Sequence, residues 1–182
     1  WFPDIYPLVS KQAGSAFATS AISDPAWRVR FSFEIGGGTG ADGLTFAFVD
    51  ARTPDVIGGK GSGMGVEGLW GYASEFDTYR NDNDPNDNHI ALVDTRTGEH
   101  RVVASDLPRL HDGGLFDAEV LYDNGHLEMW LDGVHTLEAT LSNVPNYVQS
   151  AAILGFTAAT GTDYNNHIVD DVIIQPLCDG SG

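Results

Sequence analysis

The feature that most constrains this chain is an alternation of apolar and polar residues, which recurs along most of its length. Between Trp27 and Ile35 the odd positions are apolar and the even positions are polar. Such a segment forms a β-strand with one face buried and the other exposed to water. The same pattern runs through 116–122 and 127–131, and the Asp-Asn-Gly sequence at 123–125 predicts a type I′ hairpin turn between them.

Length and composition favour one domain built from many short strands. The 182 residues include 22 glycines, which suits strands joined by tight turns. Helical spacing of apolar residues is lacking, so the strands must bury their apolar faces sheet against sheet. We therefore predict an all-β fold over residues 1–177, an antiparallel β-sandwich of the jelly-roll kind. Further strands are predicted at 44–49, 71–77, 90–94, 137–141, 152–157 and 168–174.

The charge of the chain argues against one class of partner. Its 26 Asp and Glu residues outnumber 9 Lys and Arg residues, which gives a net charge of −17. Nucleic-acid binding depends on cations that neutralise phosphates, so we expect no nucleic-acid partner. No segment reaches the roughly 18 consecutive apolar residues that a membrane span needs, and we expect no membrane insertion.

The two ends of the chain suggest a processed protein or an excised domain. The chain begins at Trp1 rather than at a methionine, and no signal peptide or lipidation motif is visible. Cys178 has no second cysteine with which to form an internal disulfide, and we expect a buried or incidental thiol. Residues 178–182 are expected to be the start of a linker or tail.

The most informative segment is 75–89, in which acidic and amide side chains cluster. Glu75 and Asp77 are two residues apart on a predicted strand and project their carboxylates from one face, and His89 opens the next strand. Carboxylates, amides and carbonyls suit Ca²⁺, and an added imidazole suits a transition metal such as Mn²⁺. A bound cation would relieve the repulsion among the acids. The alternative is a solvated acidic turn, because Asp, Asn and Pro are ordinary turn residues.

An EF-hand is excluded as the form of a calcium site. When Asp82, Asp84 and Asn86 are placed as its first three ligands, Asp87 falls where the EF-hand requires glycine. Val93 then falls where it requires glutamate.

The same segment resembles the double-metal loop of legume-type (L-type) lectins. The resemblance rests on Glu-Phe-Asp-Thr-Tyr-Arg-Asn at 75–81, followed by Asp84-Pro85 and His89-Ile90. Carried over position by position, the ligands of the transition metal, usually Mn²⁺, would be Glu75, Asp77, Asp84 and His89. The ligands of Ca²⁺ would be Asp77, the Tyr79 carbonyl, Asn81 and Asp84. The loop between Asn81 and Asp84 is shorter than is usual in legume seed lectins.

Three further motifs are similar to the sugar-binding elements of that family. Ala-Asp-Gly at 41–43 resembles the signature in which an aspartate, here Asp42, follows a cis peptide and accepts hydrogen bonds from sugar hydroxyls. The glycine-rich segment 58–65 resembles the loop whose backbone amide contacts the sugar, and either Gly61 or Gly63 could fill that position. The segment 154–161 resembles the family's late strand and the specificity loop after it. The residues after that strand, which would offer backbone amides to the sugar, are Thr162 and Asp163.

The resemblance, which spans about 12–176, implies a non-catalytic domain of the legume-lectin, concanavalin-like β-sandwich fold. Calcium would fix Asn81 and Asp42 so that their polar groups converge before the sugar arrives, and the Tyr79 ring could lie against the pyranose. The implied partners are glycans or glycoproteins, and avidity would come from a homo-oligomer or a larger multidomain protein. We expect a secreted or cell-surface lectin of a microbial or other non-plant organism, with a role in adhesion or glycan recognition.

Two other functions remain open from the residues alone. A glycoside hydrolase of the same sandwich fold needs two carboxylates about 5–5.5 Å apart if it retains configuration. Glu75 and Asp77 could offer such a pair, but the glutamate that related glucanases carry nearby is missing, because Arg80 and Asn81 are not acidic. The other function is a structural or adhesive module that calcium stiffens and that binds no sugar. Such a module would have no reason to keep Asp42 and the glycine-rich loop.

The histidines other than His89 show no pairing that would indicate nucleophilic catalysis. Four of them are His100, His111, His126 and His135, and we expect most of these four to lie at the surface. His167 is expected to order the turn before the last strand.

Overall fold

The computed structural model describes residues 9–52, 57–141 and 151–177, and these residues form eleven β-strands. The strands of the first half are β1 (Ala13–Phe17), β2 (Ala26–Gly36), β3 (Gly43–Asp50), β4 (Gly71–Asp77), β5 (His89–Asp94) and β6 (Glu99–Ala104). Those of the second half are β7 (Leu115–Asp123), β8 (His126–Leu131), β9 (Val134–Thr140), β10 (Ala152–Ala159) and β11 (Asn166–Pro176). One 3₁₀ turn lies at Gly61–Gly63.

The strands form two antiparallel sheets that pack face to face. The six-stranded sheet has the order β1-β10-β3-β4-β5-β6, and the five-stranded sheet has the order β11-β2-β7-β8-β9. Each sheet therefore mixes strands from both halves of the chain. The prediction of an all-β antiparallel sandwich is confirmed.

The core between the sheets is rich in aromatic side chains. Trp27 of the five-stranded sheet meets Phe46 and Phe48 of the six-stranded sheet at ring-centroid distances of 5.9 and 5.4 Å. Phe31 meets Phe156 at 4.8 Å in an edge-to-face arrangement, the geometry that aromatic pairs favour. These residues are the inward members of the alternating segments, so the period of two correctly predicts the buried face.

A second, smaller apolar cluster covers part of the outer face of the six-stranded sheet. Ala47, Val49 and Ala73 project outward from β3 and β4, and Val66 and Leu69 from the segment before β4 lie over them. The glycine-rich segment is thereby fixed against the sheet. Its backbone amides close it on itself, since Gly58 N donates to Gly65 O (2.6 Å) and Gly65 N donates to Gly59 O (2.7 Å).

The turn prediction at 123–125 is confirmed by backbone angles. Asn124 and Gly125 have φ angles of 48° and 88°, the two positive values that a type I′ turn requires. Two strands, β1 and β6, are not predicted from the sequence, and β9 begins three residues before the predicted start.

The expectation for His167 is wrong, because this residue lies inside β11 and is fully buried rather than in the turn before it. Cys178 and the expected tail at 178–182 lie outside the described residues. Within the described ranges, no helix is long and apolar enough to cross a membrane.

Candidate functional site

The candidate site begins on the outer face of β4. Alternation along the strand turns Tyr72 and Phe76 into the core, and it turns Glu75 and Asp77 to the opposite face. Asp77 pairs with His89 at the start of β5, which places the imidazole beside the carboxylates. The carboxylates of Glu75 and Asp77 therefore project from one face of the strand, as predicted from the sequence.

Four of the predicted metal ligands meet at this place. Single ligand atoms of Asp77, Asp84 and His89 all lie within 4.8 Å of one another. His89 Nε2 lies 3.5 Å from Glu75 Oε1 and 3.9 Å from Asp84 Oδ1. The acid-rich segment is thus folded back on β4 and forms a compact cluster rather than an extended solvated turn.

The loop that carries Tyr79 and Asn81 is held to this cluster by backbone amides. Tyr79 N donates to Asp77 Oδ1 (2.7 Å), and Asn81 N donates to Asp84 Oδ2 (2.6 Å). Asp84 N donates in turn to Asn81 O (3.2 Å). The two predicted calcium ligands of the loop therefore adjoin the two carboxylates that the family resemblance assigns to both ions.

His100 also belongs to the cluster and departs from the surface position expected for it. Its Nε2 lies 2.8 Å from Glu75 Oε1, and its side chain is 19% exposed. Glu75, His89 and His100 form a group whose ligand atoms lie within 4.8 Å of one another. Nothing in the spacing of the sequence pointed to this residue, because β6 was not predicted.

Burial and nearby charges shift the pKa values of the ionisable groups in the cluster. Burial raises the pKa of Asp77 to about 9, with further increases from the negative charges of Glu75, Asp84 and Asp42, against the lowering effect of the Tyr79 amide. Burial also raises the pKa of Glu75, but the imidazoles of His100 and His89 outweigh it and hold that pKa below its ordinary value. The Glu75 carboxylate raises the pKa of His100.

The donor atoms of this cluster fit bound cations. Neither ring nitrogen of His89 has a hydrogen-bond partner among the described residues, although the side chain is fully buried. Buried polar groups in native proteins are nearly always paired, and an unpaired group marks an ion, a water or a functional role. Carboxylate and amide oxygens suit Ca²⁺, and a site that adds imidazole suits a transition metal.

Asp42 stands next to this cluster at the start of β3. The peptide bond between Ala41 and Asp42 is cis, which confirms the feature that the resemblance implied. The backbone of Asp42 is anchored on both sides: its N–H donates to Ala159 O (3.1 Å), and its carbonyl accepts from Thr78 N (2.9 Å) and Thr78 Oγ1 (3.0 Å). The segment just before the metal loop therefore holds the backbone of Asp42.

The Asp42 carboxyl group is buried but incompletely satisfied. The residue is 4% exposed, and its Oδ2 atom has no hydrogen-bond partner in the described part of the chain. Burial raises the pKa of Asp42 to about 6, the Gly161 amide opposes this rise, and the charge of Asp163 adds to it. An acceptor oxygen without a donor in this position can accept a hydrogen bond from a ligand.

Two glycines approach this carboxylate closely. A Cβ atom at Gly161 would lie 3.1 Å from Asp42 Oδ2, and a Cβ atom at Gly61 would lie 4.0 Å from the same oxygen. A Cβ atom at Gly63 would instead meet the Glu67 carboxylate at 2.8 Å. Of the two glycines left open by the sequence, Gly61 is the one that faces Asp42.

The remaining predicted residues border the same region. Thr162 is exposed, and Asp163 is half-buried and close enough for its charge to act on Asp42. A cleft of about 570 Å³ runs beside the metal cluster, and its walls include Gly63, Tyr79 and Asn81. The structure therefore brings all the predicted sugar-binding residues to one end of the six-stranded sheet.

Asn165 is a supporting residue that the sequence analysis missed. It is 1% exposed, and its amide lies between the Ala41 N–H (3.2 Å) and the Tyr164 carbonyl (3.1 Å) when its oxygen and nitrogen are assigned to satisfy both. The cis peptide is thus supported by a side chain from the loop between β10 and β11. A lone Asn after a glycine turn gives no signal of such a role.

Comparisons with known proteins bear on the family and the fold of the chain. A family model described as the legume lectin domain matches residues 17–171. The VIP36 exoplasmic/lumenal domain in its Ca²⁺/Man3GlcNAc-bound form has a TM-score of 0.76 at 18% identity, covering 98% of this chain and 79% of that chain. The lectin from Bauhinia forficata in complex with GalNAc has a TM-score of 0.76 at 20% identity, covering 92% of this chain and 80% of that chain.

A third solved structure is the acidic lectin of winged bean complexed with methyl-α-D-galactose. Its TM-score is 0.71 at 25% identity, covering 92% of this chain and 82% of that chain. None of the curated proteins compared with the chain matches it.

Proposed function

The chain belongs to the legume lectin domain family, and from this premise we propose that it binds carbohydrate, without catalysis, at a site organised by calcium and a transition metal. The observation that carries the proposal is the position of Asp42. Its buried carboxylate, with a free acceptor oxygen, lies between the metal cluster and the backbones of Gly61 and Gly161.

The site would hold its two ions through the residues already described. The transition metal would be held by Glu75, Asp77, Asp84 and His89, and calcium by Asp77, the Tyr79 carbonyl, Asn81 and Asp84. The cations would neutralise the clustered carboxylates and fix the loop that supports Asp42. A site organised in advance loses less conformational entropy when its ligand binds.

The protein groups would then recognise hydroxyl groups of a sugar. Asp42 accepts hydrogen bonds from two hydroxyls, the Asn81 amide donates one, and backbone N–H groups at Gly61 and Asp163 donate others. Tyr79 is 40% exposed, so its ring is available to lie against the apolar face of a pyranose. This arrangement recognises orientation of hydroxyls, which is how one sugar is distinguished from another.

The similar lectins support a glycan as the ligand class. The ligands in those structures are Man3GlcNAc, GalNAc and methyl-α-D-galactose. We infer that this chain likewise binds glycans or glycoproteins, from a secreted, lumenal or cell-surface location, as a domain of about 1–177. A role in adhesion would need repeated copies, because shallow single sites bind weakly and gain from avidity.

The test is glycan binding with and without metals. The protein is applied to a glycan array with Ca²⁺ and Mn²⁺, and the affinity of the best glycan is then measured by calorimetry before and after EDTA. Loss of binding on chelation, with recovery when metals return, is the expected result. Metal binding without any glycan binding would favour the stiffened structural module instead, and polysaccharide turnover that survives EDTA would favour a hydrolase.

Asp42→Asn is the first variant to measure. Because a hydrogen bond to a charged acceptor contributes about 1.5–3 kcal/mol, the variant should weaken glycan binding by roughly tenfold to a hundredfold. Asp24→Asn is the matched control, since Asp24 is an exposed aspartate before β2. Equal glycan affinities of the two variants would show that Asp42 does not contact the sugar.

A further inference from the structure

A second imidazole faces the predicted transition-metal site, and the four ligands implied by the family resemblance do not include it. His100 Nε2 lies 2.8 Å from Glu75 Oε1 and 3.8 Å from Asp84 Oδ1. His89 Nε2 lies 3.5 and 3.9 Å from the same two oxygens. The two imidazoles thus approach one pair of carboxylate oxygens from the adjacent strands β5 and β6.

An irregularity in strand pairing places His100 there. Leu92 of β5 pairs with Val102 of β6, but the next residue, Val93, pairs with His100, so Arg101 is left out of the register. Regular pairing would put Arg101 opposite Val93 and would turn His100 to the other face of the sheet. Bulges re-aim side chains in this way and are common beside functional sites.

The surroundings of His89 and of the two carboxylates that both histidines face are those of metal ligands rather than of surface residues. The side chain of His89 is fully buried, that of Glu75 is 8% exposed and that of Asp84 is 7% exposed. The ring nitrogens of His89 have no hydrogen-bond partner among the residues described. The oxygens that face them are beyond good hydrogen-bond distance, which leaves room for an ion between nitrogen and oxygen.

We propose that His100 is a further ligand of the transition-metal site. The site then offers five side chains: the imidazoles of His89 and His100 and the carboxylates of Glu75, Asp77 and Asp84. Imidazole ligands suit zinc, copper, iron and nickel, whereas carboxylate, carbonyl and water ligands suit manganese. This inference rests on the proposed function, and it implies that the transition-metal site prefers zinc to manganese.

The test is the ratio of zinc to manganese affinity, measured on metal-free protein by competition with a chromophoric chelator. Replacing even an indirect partner of a metal ligand costs about 10–100-fold in affinity. His100→Asn should therefore weaken zinc binding at least about tenfold, and it should weaken manganese binding much less. His100→Asp, which supplies a carboxylate, should raise the affinity for manganese relative to zinc.

X-ray absorption at the zinc edge gives a readout that a merely electrostatic role of His100 would not change. The zinc-loaded protein should show two imidazole ligands, and His100→Asn should show one. All proteins in the comparison carry His126→Asn, because His126, Glu128 and Glu138 form another cluster that could bind zinc. His111→Asn, which removes an imidazole outside both clusters, is the control and should leave the ligand count and the affinity ratio unchanged.

Two outcomes would overturn the proposal: a single imidazole on zinc in the protein that retains His100, or an equal zinc-to-manganese ratio with and without His100. His100 would then be only the counter-ion of Glu75. Glycan binding is measured on the same samples with calcium. Glycan binding combined with a single imidazole on zinc contradicts only this proposal, whereas two imidazoles without glycan binding contradict only the proposed function.

Discussion

His167 shows how one buried side chain can make the stability of this fold depend on pH. It is fully buried within β11, and neither ring nitrogen has a hydrogen-bond partner in the described ranges. Burial lowers its pKa to about 4, from an ordinary value of 6.5. The folded protein therefore holds the neutral form, and the unfolded chain binds the proton first as pH falls.

We expect His167 to destabilise the protein by about 3 kcal/mol as pH falls from 6.5 to 4, because each unit of pKa difference corresponds to about 1.4 kcal/mol. The measurement is the free energy of urea unfolding against pH for the wild type and for His167→Leu. All other titrating groups are common to both proteins, so the difference isolates this imidazole. Parallel curves would mean that the folded protein accepts the proton without cost.

At the same scale, some residues of the candidate site are predictable from the sequence and others are not. Glu75 and Asp77 share a face because strand residues two apart must do so, and the register then brings in His89. His100 could not be predicted, because a bulge sets its face and alternation contains no information about a skipped residue. Asn165 acts on Ala41 across 124 positions of sequence, and no local pattern encodes such a contact.

At the scale of elements, β10 is joined to the glycine-rich turn by one hydroxyl group. Thr157 Oγ1 donates to Met64 O (2.6 Å) and lies 2.8 Å from Thr45 Oγ1. A hydroxyl carries a single proton. Thr157 therefore uses its proton on Met64, and Thr45 must donate to Thr157. All three groups are buried, so the turn that presents Gly61 depends on this chain of hydrogen bonds.

We expect Thr157→Val to destabilise the protein more than Thr45→Val does. The first variant leaves the Met64 carbonyl and the Thr45 hydroxyl unpaired, at about 1–3 kcal/mol for each buried group. The second removes one hydrogen bond worth about 1 kcal/mol and leaves the Thr157–Met64 bond intact. Urea unfolding measures both, and glycan affinity should fall only for Thr157→Val. A reversed order would mean that the turn does not depend on Thr157.

Strand prediction succeeded where the apolar face of a strand lies in the core, and it failed at the two edges of the six-stranded sheet. The segments at 27–35 and 127–131 alternate clearly because one of their faces lies in the core. The two missed strands, β1 and β6, are the edge strands of the six-stranded sheet. The edge strand Glu99–Ala104 has no fully buried residue. A bulge also shifts its register, so its sequence lacks a regular alternation of apolar and polar residues.

At the scale of the whole molecule, we expect the acidic cluster to make the stability of the fold depend on cations. The chain carries a net charge of −17, and the buried carboxylates of Asp42, Glu75 and Asp77 lie at or beside the metal cluster. Asp77 is 2% exposed, and the neighbours that repel its charge are Glu75, Asp84 and Asp42. Without a cation, folding must bring these groups together against burial and repulsion, both of which raise the pKa of Asp77.

Calcium should therefore stabilise the whole fold, and Asp77→Asn should abolish this stabilisation. A ligand at 100 times its Kd adds about 2.7 kcal/mol to the free energy of unfolding, which for a chain of this size raises Tm by roughly 5–10 °C. Asp77→Asn removes a ligand, so calcium should no longer raise Tm. The same change removes a buried carboxyl group whose pKa is raised to about 9 and which must therefore take up a proton when the metal-free protein folds at neutral pH. Removing this cost should stabilise the metal-free fold by about 4 kcal/mol.

The measurement is thermal unfolding of both proteins at neutral pH, in EDTA and in excess calcium. The expected order of Tm in EDTA is Asp77→Asn above wild type, and in calcium the order should invert or close. Asp170→Asn, an exposed aspartate on β11, controls for the loss of one negative charge from an acidic protein and should leave the calcium shift intact. A wild-type Tm that calcium does not change would show that the fold tolerates the clustered carboxylates without a cation. The proposal that metal ions organise this site would then be wrong.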